Sequence, residues 1–168
     1  KLSGTSGACI LGATTPLIYL DKVGTGTYTV TTDLTFEILY VEAGTMDFSN
    51  RTISATGLNS YPGTTTIMAN TLFSVMSYAF TGTQTFSSTA QFQMQTSQAV
   101  FSSQGAFYSI EFMADGRLDS NVTAVNFISH GAVSVGRNNS FTHMDVRGDL
   151  FLHGNNSTDT LEMNNAGN

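Results

Sequence analysis

The chain of 168 residues is short of nearly everything that staples or charges a protein: one cysteine, two prolines, no tryptophan and only 11% charged residues. Each shortage excludes something. A lone Cys9 rules out an internal disulfide framework, so packing and backbone pairing must hold the fold. As a residue, Cys9 reads as a small buried apolar group ahead of a reactive thiol. Two lysines and four arginines, scattered and outweighed to a net charge of -6, disfavour nucleic acid or an anionic membrane surface. No apolar run approaches the ~20 residues of a membrane span. No initiator Met or leader pattern opens the sequence, so Lys1 is expected to follow a cleavage or to begin a piece of something longer.

What is present is polar without being ionic. Serine and threonine total 43 and asparagine 12, beside 12 phenylalanines and 6 tyrosines. Such an aromatic and β-branched content argues for a folded chain rich in strands. The whole stretch from Thr52 to Ile110 includes no Asp, Glu, Lys or Arg. Interspersed charge normally keeps copies of a soluble chain apart, so this uncharged stretch suits contact with neighbours. Sequons at Asn50, Asn121, Asn138, Asn155 and Asn156 fit a secreted glycoprotein.

A phrase recurs: a strand-like apolar run, two or three residues, then glycine. It closes on Gly57, Gly82, Gly105, Gly131 and Gly154, at near-equal intervals. Met46, Met68, Met94, Leu118 and Met144 keep a similar mean interval, about 24 positions. Repeats of this length signal a solenoid or array, and strand-forming content makes it a β type. Three short strands per repeat are expected, illustrated by Phe107–Met113, Val122–Val125 and Asn126–Ile128, with turns at Asp115-Gly116 and Asp119-Ser120-Asn121. On this reading the glycines end coils, and the Met/Leu series and the Phe80, Phe101, Ile128, Phe151 series are core ladders.

The expected fold is thus all-β: one parallel β-helix domain over residues 1–168, with a coil length of about 24 residues set by that interval. Residues 1–15 are an irregular cap, 16–32 a partial coil, 33–154 five coils and 155–168 another partial coil. An antiparallel β-sandwich is the alternative. Through its apolar-x-x-Gly coil endings and Met/Leu-Asp/Gln steps, the sequence resembles right-handed parallel β-helix proteins over about residues 33–163. That resemblance implies a class used by secreted adhesins, fibres and spikes, surface filaments and polysaccharide-cleaving enzymes.

Chemistry is sparse. Asp119 and Asp145 share one position of the expected repeat and form the candidate pair for a carbohydrate site; as a catalytic pair they would need to converge, whereas Asp-Gly and Arg-Gly-Asp contexts are turn chemistry. His130 and His153, each preceding a coil-end glycine, are expected to stack across a rung. Without cysteine ligands or a tight histidine pair, no metal or cofactor is assigned. Thr-rich segments at 27–31, 64–66 and 83–85 resemble locally the threonine rows of ice-binding solenoids. The leading expectation is an extracellular, non-catalytic structural solenoid that self-associates as a subunit or segment of a filament, fibre or adhesin. A carbohydrate-binding or polysaccharide-cleaving module, a viral spike and an ice-binding solenoid are the alternatives.

Overall fold

A computed structural model describes residues 6–9, 17–60, 64–67, 71–80, 83–85, 90–103, 105–119 and 121–164. No helix occurs among them, and every strand pair is parallel. In chain order the strands are β1 (Ser6–Cys9), β2 (Leu17–Lys22), β3 (Thr27–Val30), β4 (Leu34–Val41), β5 (Thr45–Asp47) and β6 (Thr52–Ser60). Next come β7 (Thr65–Ile67), β8 (Leu72–Phe80), β9 (Thr83–Thr85), β10 (Gln91–Met94), β11 (Ala99–Ser103) and β12 (Gly105–Phe112). The last are β13 (Gly116–Leu118), β14 (Val122–Ser129), β15 (Val133–Val135), β16 (Ser140–Val146), β17 (Leu150–Leu152) and β18 (Ser157–Met163). Uniformly parallel pairing of strands about one coil apart defines a β-solenoid, and the antiparallel sandwich is not supported.

Each coil has three faces, because the long strands bend. In β14 the buried positions are Val122 and Ala124, then Phe127 and Ser129, so the in–out alternation slips at Val125-Asn126. The expected division of this segment into two short strands falls at that bend. The expected turns around Asp115 and Asp119–Asn121 also separate strands. The 1–15 segment, expected to be irregular, contributes β1, which pairs with β3.

The coil length differs from the sequence expectation. Thr123 faces Ser140 and Ser140 faces Ser157, a step of 17; Leu34 faces Ile53 and Thr52 faces Leu72, steps of 19 and 20. The expected period is therefore corrected: the coils are shorter and more numerous. The apolar-x-x-Gly phrase arises at more than one corner of a coil. Gly131 follows a first-face strand and Gly154 follows the second-face strand of the next coil, so the interval between them is one coil plus one short strand and its turn. The five glycines are accordingly not equivalent. Gly57 lies inside β6, Gly105 opens β12, Gly131 and Gly154 occupy different corners, and Gly82 lies outside the described residues.

The core consists of columns running along the axis. On the first face Leu34, Ile53, Phe73, Phe92, Ile110, Phe127, Met144 and Leu161 stack in register. Two positions on, Phe36, Ala55, Val75, Met94, Phe112, Ser129, Val146 and Met163 form a second column. The Met/Leu series is consequently not one ladder. Met46 sits on the third face in β5 and Leu118 on the second in β13, while Met94 and Met144 belong to different columns of the first face. All four are buried; Met68 lies outside the described residues. The Phe series also divides: Phe101 is buried in β11, whereas Ile128 is only half-buried and Phe151 is exposed. Packing is densest where Phe92, Phe101 and Phe107, one from each face, meet edge-to-face at 5.0–5.4 Å, with Phe73 stacked on Phe92 at 4.8 Å. Each fully buried side chain of this kind stabilises the fold by ~1.5–3 kcal/mol.

Candidate functional site

Charge stands on the described coils to either side of the uncharged stretch, and in the later ones it is wired from rung to rung. Gln93 Nε2 donates to Glu111 Oε2 (3.1 Å), whose other oxygen lies 2.7 Å from His130 Nε2. Arg147 donates to His130 Nδ1 (3.2 Å) and to Asp145 Oδ2 (3.1 Å), and Asn164 Nδ2 donates to Asp145 Oδ1 (3.0 Å). The chain of bonds crosses successive rungs of the first face, because parallel stacking places residues one coil apart side by side. Burial alone would raise the Asp145 carboxyl. The hydrogen bonds from Asn164 and Arg147, with the positive charges of Arg147 and His143, outweigh it and hold this carboxyl below the usual carboxylate range.

The arrangement suits bracing better than proton transfer. Arg147 can only donate, so His130 Nδ1 is the acceptor and Nε2–H faces Glu111. Both ring nitrogens are then occupied, leaving no lone pair for a substrate proton. A second contact, Ser134 Oγ to His153 Nε2 at 3.0 Å, pairs a hydroxyl with an imidazole. Among the described residues nothing is bonded to the other ring nitrogen of His153, whereas an activated serine needs a base oriented by a third group.

The residues singled out from sequence are largely dispersed. Asp119 follows β13 on the second face and binds Arg117 Nε at 2.9 Å, while Asp145 lies in β16 on the first face. They do not form a pair; the shared repeat position dissolves with the expected period. His130 and His153 end strands of different faces, so they do not stack either. Asp115 accepts the Ala132 N–H through Oδ1 at 2.8 Å, in keeping with its turn context. Gly148 of the Arg147-Gly148-Asp149 tripeptide sits on Gly131, where a Cβ would come within 2.4 Å of backbone carbon. Gly131 is needed for the same reason, close backbone approach to Asp115 and Ala114.

Sequence reasoning missed the asparagine columns. Asn121 and Asn138, one coil apart and exposed, take left-handed backbone angles of 66° and 56° at one corner. Asn138 Nδ2 reaches Asn121 Oδ1 at 3.4 Å. One residue on, buried Asn139 accepts the Val122 N–H at 2.8 Å, and Asn156 Oδ1 accepts the Asn139 N–H at 3.0 Å. The repeated Asn-Asn-Ser at 138–140 and 155–157 carried that signal. Among the sequons, Asn50, Asn121, Asn138 and Asn155 are exposed, whereas the Asn156 side chain is engaged in the column.

Among the described residues no group of three or more His, Cys, Asp or Glu is placed to hold a metal, and no helix is long and apolar enough to cross a membrane. Comparison of the chain with protein-family models, curated proteins and solved structures returned no match. The class that the fold defines is therefore the parallel β-solenoid.

Proposed function

We propose that this chain is an extracellular structural β-solenoid, a subunit or segment of a surface filament, fibre or adhesin whose coils stack on further coils. The supporting observation is the state of the last described rung. The two first-face core columns run to Leu161 and Met163, which remain 46% and 47% exposed, and β18 pairs only with β16 among the described residues. Such a rung offers laddered backbone groups and the ends of two apolar columns to another coil. Residues 52–110 carry no Asp, Glu, Lys or Arg, so the described strands within that stretch bring no like charges to oppose contact. Negative-stain microscopy and light scattering test this: end-to-end association is expected, and Leu161→Lys with Met163→Lys should abolish it. Dispersed monomers at high concentration would overturn the reading.

One observation favours a second reading. Thr27, Thr45, Thr65 and Thr83 fall in one register column on the third face, a taller threonine row than the sequence segments promised. The neighbouring column is broken by Asp47 and Ile67. Thermal hysteresis in the purified chain, lost on Thr45→Tyr, would favour ice binding; its absence removes that reading.

A further inference from the structure

We propose that the second face of the later coils binds a neutral carbohydrate chain, laid along the solenoid axis with one sugar ring on Phe151. Val100, Arg117, Ser134 and Phe151 occupy one outward column on successive rungs. Together with Gln98, Asp115 and Ala132 at the adjoining corner they line a shallow groove of about 360 Å³. Phe151 stands out in that column. Its register partner Ser134 lies between the inward-facing Val133 and Val135, so the Phe151 ring takes an outward position and is 55% exposed. It therefore does no packing that the core requires.

Polar groups flank the ring. Asp119 takes only the Nε–H of Arg117, which leaves the four N–H of the two terminal guanidinium nitrogens to a ligand. The Ser134 hydroxyl lies one rung away in the groove, held 3.0 Å from the His153 imidazole two residues beyond Phe151 at the groove's edge, and Asp115 commits only Oδ1 to the Ala132 N–H. An exposed apolar ring beside fixed donors and acceptors matches a ligand with an apolar C–H face and a hydroxylated edge, which is the form of a pyranose.

Charge and backbone narrow the class. Arg117 and Asp119 neutralise each other, and the chain as a whole is acidic, so a polyanion gains nothing here. A peptide adding as a β-strand needs unpaired backbone groups. In β11, β13 and β15 those groups are laddered on both sides along the axis, so among the described strands of this face only the outer edge of β17 offers them, and the groove over the earlier rungs must be read by side chains. A groove that repeats every rung, ~4.8 Å along the axis, presents its contacts in a line, as an extended oligosaccharide requires.

Calorimetric titration of the full chain with cellohexaose, chitohexaose and mannohexaose tests the proposal, with hexagalacturonate as the anionic comparator. At least one neutral hexasaccharide is expected to bind, and Phe151→Ala to weaken it about tenfold or more, with Phe151→Tyr retaining it. Arg117→Ala should weaken it severalfold. The melting temperature of Phe151→Ala should match that of the parent, because the ring is not packed, which separates lost binding from lost folding. No heat with any neutral probe, a preference for hexagalacturonate, or unchanged binding in Phe151→Ala would overturn the site; so would binding of an extended peptide at the same face.

Discussion

The early and late coils solve the same problem at different corners. In the early coils the first and second faces belong to one bent strand, as in β4, where buried Phe36 and Leu39 mark the slip in alternation, and turns separate the second from the third face and the third from the next first face. In the late coils the bent strand joins the third face to the first, as in β14, and a turn lies between the first and second faces. The change falls between β8 and β12. The two halves of β8 are continued by separate strands, β10 and β11, with Gln98 at a positive backbone angle in the turn between them. Coil length follows the corner. Early coils set Leu34 beside Ile53 and Thr52 beside Leu72, whereas late coils set Thr123 beside Ser140 and Ser140 beside Ser157, a shorter and constant step. Regularity is what lets side chains ladder. The apolar columns run through both, and the early coils add isolated cross-rung bonds such as Thr52 N–H to Asp33 Oδ1, whereas the late coils join theirs into the asparagine columns and the Glu111–His130–Arg147–Asp145 network.

The sharpest way to break this contrast is at the tight late corner. Gly148→Val or Gly131→Val drives a side chain into stacked backbone and should cost more than ~4 kcal/mol or prevent folding, as read by urea denaturation. Thr56→Val, on the exposed bend of an early coil, should stay within ~0.5 kcal/mol of the parent. Equal losses would mean that the corners do not differ in tightness. Next in size is Phe92→Ala at the transition coil, where three aromatic neighbours lose a partner; ~3–5 kcal/mol is expected by the same measurement.

A smaller loss is expected from Asn139→Ala. It strands the buried Val122 N–H and removes an amide that bonds Asn156, at about 1–3 kcal/mol by thermal denaturation. Smallest is the acid response of Asp145. Its carboxyl is held below its ordinary value, so the stabilisation is present at neutral pH, above the unfolded value, and fades as pH falls through the folded value. Asp145→Asn should thus lower stability near pH 7, begin to converge with the parent only as the pH drops below the ordinary carboxylate value, and meet it below the still lower folded value. A constant difference across that range would show that the charge is not what matters.

Strand content, the parallel solenoid and the uncharged stretch were legible because composition and short-range alternation encode them. The turns at Asp115 and around Asn121 were legible for the same reason. The period was not. Glycine-ended strands occur at several corners, and the corner that lacks a turn moves along the chain, so matching glycine to glycine compares Gly57, inside a strand, with Gly131, at a corner. The candidate acid pair failed with it, since Asp119 and Asp145 are neighbours only under the longer period. The network around His130 was invisible for a related reason. Its members are brought together by the true coil length, and no local pattern joins Glu111 to Arg147.

The asparagine column also gives the late coils a direction in time. Val122 has its N–H answered by Asn139, and Asn139 has its own answered by Asn156, so each coil is completed by the one after it. During synthesis these two coils each emerge with a donor that waits on sequence not yet made. Those two donors are therefore satisfied only once the following coil has stacked, and a chain cut short of Asn139 or Asn156 leaves the corresponding N–H without its side-chain partner, besides the open backbone ladder of the end rung.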